Sequence, residues 1–470
     1  MICLKTAVCW ATLMAALGTP ALLLAEQPTQ PEGAVAGEAA GEKDEHALVD
    51  LWQLFQESVL EDPRILAAQA RTQSGRFRQR EAFGQMLPQV NASGSFNRTL
   101  YEVEASNTRE LYNGERYMLG LSQVLYDPEV WHNYRRFSAL ARQQEAEFEA
   151  TREEAAVDLV ERYFTALAAE DELALVEAEL RATQRNLDRV NSLYEKQLAM
   201  VTDVLEISAR VDALNAALIE ARNSVEVSRE ALSELVGRPV VGRLKRVGEQ
   251  ASFHLPAQAR DYWEKQALES NPVLVARQKA VDAAQAGLRQ AKSGHLPSVN
   301  LNLAAQRSDI GYENSLSPRT DTYVATIGVQ VPIFSGGSTS ARVSATYEEL
   351  MTAEHELEGG RRHVLRETRA AFYGVEAGLS KIAASRKALV SAEKSRQAAE
   401  RAFGFGVMNA VDVLDRVKEE YASRRDMMRS QYDFIMNMMV LRRWSGTLVE
   451  DDVRKTNEWL VAPDEARRPS

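Results

Sequence analysis

Two acidic side chains, Asp412 and Asp415, are the first candidates for a chemical role in this chain. They follow a turn that contains Gly404 and Gly406, and they open a long helical segment. Clustered carboxylates attract cations and repel one another. The same residues also suit a structural role, because Asp412 can act as a helix N-cap and Asp415 as a first-turn acid that the helix dipole favours. The sequence leaves both interpretations open.

No pattern in the sequence favours an enzyme. His355 and His363 stand near glutamates but lack the HExxH spacing of a zinc site, so a solvated helical face is the better interpretation. Phosphate-binding glycine loops and nucleophile elbows are absent from the sequence. A group of methionines at helical spacing favours helix packing over a copper site. They are Met427, Met428, Met436, Met438 and Met439. We therefore expect no catalysis, no cofactor and no metal.

The turn that carries the two aspartates occurs twice in the chain. The segment from Tyr194 to Glu206 reads YEKQLAMVTDVLE and resembles the segment from Phe403 to Asp415, 209 residues later. The same offset of 209 residues recurs in several other pairs. These are Pro63 and Pro272, Pro88 and Pro297, Tyr163-Phe164 and Phe372-Tyr373, and Gly237 and Gly446. A period of this length predicts two tandem structural repeats, with function on their shared axis.

Composition limits the class of protein. The 470 residues carry a net charge of −11 and are 45% hydrophobic, which is typical of a folded protein. The acidic balance argues against a nucleic-acid partner. Both cysteines, Cys3 and Cys9, lie in the first ten residues, which begin a segment that predicts a secretory signal peptide over residues 1–25, with a membrane anchor as the weaker alternative. Residues 26–47 predict a flexible N-terminus.

Each half contains two runs with alternating hydrophobicity. After Pro88, apolar residues such as Val90 and Phe96 alternate with small polar ones, and after Pro297 the pattern is clearer, as in Leu301 and Leu303. Each half therefore predicts one β-hairpin with a long loop and strands of about ten residues. A transmembrane strand and a soluble strand with one buried face share this alternation. The pattern alone favours neither.

Long helices follow each hairpin. From Pro128 to about Gln197 the sequence has neither proline nor glycine, and apolar residues recur at steps of three and four. This spacing, from Leu173 to Tyr194 and again from Ile207 to Leu235, predicts a coiled-coil seam. The predicted organisation is a first repeat over 48–237, a linker over 238–262, a second repeat over 263–446 and a C-terminal tail over 447–470. Each repeat holds helices, a hairpin and coiled-coil helices.

In these features the chain resembles the TolC-like outer-membrane efflux protein family from about Leu48 to Leu448. The resemblance rests on paired Leu-Pro strand starts at Leu87-Pro88 and Leu296-Pro297, on Val331-Pro332-Ile333-Phe334, and on the turn from Gly406 to Asp415. It implies a mostly α fold with transmembrane β: a homotrimeric, 12-stranded β-barrel continued by a long α-helical coiled-coil barrel. Four strands cannot close a barrel alone, so the strand count itself requires several chains.

The resemblance implies an outer-membrane channel, extending into the periplasm of a Gram-negative bacterium, in a tripartite efflux or type I secretion system. Expected partners are outer-membrane lipid, a periplasmic adaptor and an inner-membrane transporter. In the family, acidic residues after the second turn form the periplasmic entrance, and Asp412 and Asp415 match them. Thr202 and Asp203 match first-turn residues that help to hold the entrance shut. Their usual tyrosine and arginine partners are replaced by Phe403 and Met408, so another latch is needed or the entrance is held less tightly.

The resemblance also assigns adaptor docking to the tips of the two turns. Gly406 and Val407 fit the family's glycine-hydrophobic motif, whereas Gln197 and Leu198 lack the glycine. An ordinary polar turn is an equal alternative for the first tip. The alternative function for the whole chain is a periplasmic coiled-coil adaptor or scaffold without channel activity, which the doubled hairpin-and-helix unit disfavours. A mature chain without a lipid-bearing cysteine favours the protein-secretion or multi-purpose branch over lipid-anchored drug-efflux proteins.

Overall fold

A computed structural model describes residues 48–103, 108–248, 251–309 and 319–462. The predicted signal peptide (1–25) and flexible N-terminus (26–47) lie outside the described residues. The helices are α1 (Leu51–Glu61), α2 (Pro63–Gly84), α3 (Pro128–Glu195), α4 (Val201–Val236), α5 (Arg260–Ser270), α6 (Pro272–Ser293), α7 (Ser338–Gly404), α8 (Ala410–Trp444) and α9 (Glu450–Glu458). The strands are β1 (Leu48–Val49), β2 (Gln89–Val103), β3 (Thr108–Tyr126), β4 (Arg243–Leu244), β5 (Arg246–Val247), β6 (Ser298–Asp309), β7 (Arg319–Gln330) and β8 (Leu460–Val461).

The order of the elements repeats. Two short helices, a hairpin and two long helices, α1 to α4 with β2 and β3, are followed by the same series, α5 to α8 with β6 and β7. Helices α2 and α6 both begin with a proline, Pro63 and Pro272, 209 residues apart. Each follows a side chain that caps the helix, Asp62 and Asn271 respectively. The offset found in the sequence is therefore the spacing of the folded elements.

The two hairpins join into one sheet with strand order β2-β3-β6-β7. All neighbouring strands are antiparallel, and a bulge between Val124 and Tyr126 interrupts the β3–β6 ladder. The first hairpin has strands of 15 and 19 residues, and the second has two strands of 12 residues. The strands of the first hairpin are therefore longer than the alternating pattern predicts. In the described chain, β2 and β7 each pair on one side only.

The register separates apolar from polar rows across the sheet. One row runs through Val90, Leu121, Leu303 and Ala325, all apolar. The adjacent row runs through Gln89, Ser122, Asn302 and Thr326, all polar. Successive side chains of a strand point to opposite faces. The sheet therefore has an apolar face and a polar face at this level.

The long helices form two antiparallel pairs. Helix α3 has 68 residues and α7 has 67, so each is roughly 100 Å long at about 1.5 Å per residue. Most of the predicted seam of α4 is buried, from Ile207 to Leu235, which confirms the helical spacing. Tyr194 differs, because it is exposed one residue before the end of α3.

The core lies where the short helices surround the middle of the long ones. Its fully buried side chains include Leu54 of α1, Tyr163 of α3, Leu232 of α4 and Phe434 of α8. In the described ranges, no helix combines the length and the hydropathy that a membrane span requires.

The predicted linker and C-terminal tail take part in this core. Linker strand β4 pairs with β1, and linker strand β5 pairs with β8 from the tail region. Val453 and Leu460, both beyond residue 447, are buried. Two-residue strands and single apolar side chains have no periodic signal, so the sequence pattern did not reveal them.

Candidate functional site at the two interhelical turns

The first turn connects α3 to α4 through a residue in the left-handed region. Gln197 has φ 61° and is the one non-glycine residue with positive φ among those described. Its N–H donates to Tyr194 O at 2.8 Å, and the N–H of Leu198 donates to Leu193 O at 2.9 Å. This six-to-one hydrogen bond closes the helix end in a Schellman motif.

The second turn, between α7 and α8, has the same hydrogen bonds 209 residues later. Gly406 has φ 73°, and the N–H of Val407 donates to Ala402 O at 3.0 Å. Gln197 therefore occupies the position that Gly406 holds in the second turn, and it adopts the same left-handed backbone conformation. A non-glycine residue in this region costs on the order of 1 kcal/mol.

Replacing Gln197 with glycine should stabilise the first turn by about 0.5 to 1 kcal/mol, because glycine adopts this φ without strain. Slower hydrogen exchange of the Leu198 amide would report the change. The matched control is Lys196→Gly, since Lys196 has an ordinary φ of −88° and glycine there should speed exchange. If both variants exchanged alike, the positive φ would carry no strain.

The aspartates of the second turn lie on the first two turns of α8. The N-cap is Asn409, whose side-chain oxygen accepts from the N–H of Asp412 at 2.7 Å. The interpretation of Asp412 as the N-cap is therefore wrong, because the amide of Asn409 already fills that place. Asp412 and Asp415 are exposed, and in the part of the chain that the structure describes neither carboxylate makes a hydrogen bond or ion pair. Both charges are free to act on ions in solution.

The first-turn pair Thr202 and Asp203 lies at the start of α4. The Asp203 carboxylate accepts from the N–H of Met200 at 3.4 Å, so it caps its own helix. Thr202 is exposed. Within the described ranges, no hydrogen bond or ion pair joins either residue to Phe403 or Met408.

Phe403 and Met408 contribute to apolar packing between the two helical pairs. Phe403 contacts two small clusters, one around Val190 and Ile207 and the other around Val413 and Val417. Met408 contacts only the second cluster. The guanidinium of Arg189 lies over the Phe403 ring, 4.5 Å from its centroid. The positions of the expected polar links are thus filled by apolar contacts and one cation–π contact.

The tips of both turns expose apolar side chains. Leu198 is 73% exposed and Val407 is 81% exposed. Phe405 is 83% exposed and joins this surface. Phe405 was not among the predicted docking residues, because its two glycine neighbours indicated only a turn. Its aromatic type in a helix-connecting turn was the available signal.

Most of the histidines and methionines that were weighed as metal ligands make packing contacts instead. The His363 ring meets Trp444 edge to face at 5.3 Å. Met439 is buried, and Met427, Met428 and Met436 pack against the main core. No group of three or more His, Cys, Asp or Glu side chains in the described ranges is arranged to hold a metal.

Comparison with known proteins gives the family. The model of the family described as "Outer membrane efflux protein" matches residues 54–238 and again 263–447. The chain belongs to the outer membrane efflux protein family. The two matches are themselves 209 residues apart and coincide with the two structural repeats.

Relatives in this efflux protein family match over most of their length. Outer membrane protein TolC of Vibrio cholerae is 26% identical, over 87% of this chain and 94% of the relative. The alkaline protease secretion protein AprF of Pseudomonas aeruginosa is 28% identical, over 83% of each chain. The CmeC outer membrane channel of Campylobacter jejuni has a similar fold, with a TM-score of 0.76 at 14% identity over 89% of each chain.

Proposed function

We propose that this chain forms the outer-membrane channel of a tripartite efflux or type I secretion system, as a homotrimer. The observation that carries the proposal is one four-stranded sheet joined to helices of roughly 100 Å. A sheet of this size fits the membrane, and helices of this length fit a tunnel beyond it. The relatives named for TolC and for protease secretion support export as the function.

The unpaired edges of the sheet support the trimer. Strand β7 has a free edge on one side and β2 has one on the other in the described chain. Exposed edges tend to pair with another strand, and a membrane tolerates no open edge. Pairing β7 of one copy with β2 of the next closes a twelve-stranded barrel when three copies join.

The faces of the sheet support its orientation. The row from Val90 to Ala325 would face outer-membrane lipid, and the row from Gln89 to Thr326 would line the water-filled interior. Beyond the apolar row, Arg307 pairs with Asp321 at 2.7 Å. This exposed ion pair suits the level at which the strands leave the hydrocarbon.

The helices would carry the tunnel across the periplasm to an entrance at the turns. Asp412 and Asp415 from three copies would place six carboxylates around the axis. How tightly the entrance closes would depend on four residues at the turns, Thr202, Asp203, Phe403 and Met408. The tips around Gln197, Leu198, Gly406 and Val407 would contact the periplasmic adaptor, which joins the channel to an inner-membrane transporter. Phe405 adds apolar area to this contact.

Replacing Phe405 with serine should reduce export several-fold in cells while trimer yield stays unchanged. Buried aromatic side chains often dominate the energy of an interface. Because the trimer would lose one such side chain in each of three copies, the losses of binding free energy would add up. Efflux of a fluorescent dye by intact cells measures the effect. Glu195→Ser is the control, because it changes an exposed polar residue beside the first tip. Normal efflux by the Phe405 variant would place adaptor contact elsewhere.

Membrane extraction tests the proposed assembly. The purified protein should require detergent, run as a trimer and dissociate on heating. A protein that stays soluble without detergent as a monomer would support the coiled-coil adaptor or scaffold alternative.

A further inference from the structure

One charged contact joins the two repeats near the turns. Arg189 lies in the last two turns of α3, and Phe403 lies one residue before the end of α7. The guanidinium carbon of Arg189 is 4.5 Å from the centroid of the Phe403 ring. Within the described ranges, Arg189 makes no ion pair or hydrogen bond. Its charge is therefore available to the ring.

The remaining contacts between the repeats at this level are apolar. Val190 and Ile207 of the first repeat pack against Ala410 and Leu414 of the second. The nearest ion pair between the two helical pairs joins Arg425 to Glu172. Glu172 and Arg189 are separated by roughly 25 Å of helix. Between that ion pair and the turns, the contact of Arg189 with Phe403 is the one cation–π contact, and no further ion pair links the two helical pairs among the described residues.

The chemistry of this contact suits the residues that the second turn carries. The face of an aromatic ring has negative electrostatic potential and attracts a guanidinium without any hydroxyl group. Phe403 has no hydroxyl and Met408 has no charge, so neither can form a hydrogen-bonded or ionic link across the turns. A cation–π contact needs only the ring that Phe403 supplies.

We propose that Arg189 is the latch of the periplasmic entrance, holding the α7–α8 pair against the α3–α4 pair through the ring of Phe403. The inference rests on the proposed channel function. Opening separates the guanidinium from the ring and leaves the charge in water. A cation–π contact at an exposed site changes such an equilibrium about two- to fivefold per chain. Three latches acting together change it about 10- to 100-fold.

The test is a double-mutant cycle on the full-length trimer in planar bilayers. Arg189→Gln removes the charge, and Phe403→Leu keeps an apolar side chain while removing the ring. Each should raise the open probability about 10- to 100-fold, and the double variant should add little to either. Arg189→Lys should restore part of the closure. Arg185→Gln is the control, since Arg185 is exposed one turn earlier and makes no ring contact among the described residues.

Spin labels test the latch without requiring conduction. The substitutions Lys196→Cys and Gly404→Cys place spin labels on exposed positions of the two turns. Arg189→Gln and Phe403→Leu should shift the distance distribution to longer values, and Arg185→Gln should leave it unchanged. Distances and open probabilities equal to those of the unmodified protein, or additive effects in the double variant, would overturn the latch. Failure to trimerise or conduct in every variant, with unchanged distances, would overturn both the latch and the channel.

Discussion

Replacing Asp412 and Asp415 together with asparagine should strongly weaken block of the channel by multivalent cations added on the periplasmic side. The two carboxylates of each chain are exposed on the first turns of α8. Three copies would concentrate six negative charges around one axis, which favours a multivalent cation over a monovalent one. Their removal should weaken the block by roughly two orders of magnitude, or about 3 kcal/mol. Block of single-channel current by a trivalent cation measures it.

The control for this experiment lies on the same helix. Asp426 is exposed on α8, roughly 16 Å from Asp415 along the helix axis, and Asp426→Asn should leave most of the block in place. Block of unchanged affinity in the double variant would remove both aspartates from the entrance. Neutral asparagine keeps the shape of each side chain, so helix α8 should still form.

Ile327→Arg should prevent membrane assembly, whereas Thr326→Arg should be tolerated. Ile327 lies directly opposite Leu301, and Thr326 lies directly opposite Asn302. Adjacent residues point to opposite faces of the strand. A lipid-facing arginine near mid-membrane costs about 2 to 4 kcal/mol in each chain, and the trimer would carry three. The yield of heat-dissociable trimer in outer-membrane fractions measures the difference.

The neighbouring strand provides an independent comparison. Leu301→Arg should behave like Ile327→Arg, and Asn302→Arg should behave like Thr326→Arg, because each pair shares a row of the sheet. Equal trimer yields for all four variants would mean that the sheet does not separate lipid from water at this row.

The repeat and the helices could be predicted from the sequence because their signals are local and long. Proline starts such as Pro63 and Pro272 mark helix N-termini in both halves. The buried spacing from Ile207 to Leu235 is that of a continuous helix. Alternation also placed Leu301 and Leu303 on one face, and the register pairs them with the apolar residues Ile327 and Ala325.

Other features depend on details that a pattern does not contain. Asn409 and Asp412 are both good N-cap residues, and only the backbone decides that Asn409 is the cap. Gln197 takes a left-handed φ because the six-to-one hydrogen bond of the turn requires it, although its residue type favours another conformation. The contact of Arg189 with Phe403 depends on how the two repeats dock, since the residues are far apart in sequence.

The burial of the C-terminal region also depends on tertiary contacts that a sequence pattern does not contain. Leu460 is buried through the pairing of β8 with β5, two strands of two residues each. Such short strands are stabilised by tertiary packing and not by propensity. Their partners become visible only in the folded chain.

Single-channel recording of the detergent-purified protein in a planar bilayer tests whether the protein is a channel at all. A homotrimeric channel with a carboxylate-lined entrance predicts discrete conductance steps that prefer cations over anions. The preference should fall when Asp412 and Asp415 are neutralised. A purified, membrane-inserted protein that gives no discrete steps, even after Arg189 is replaced, would contradict the channel.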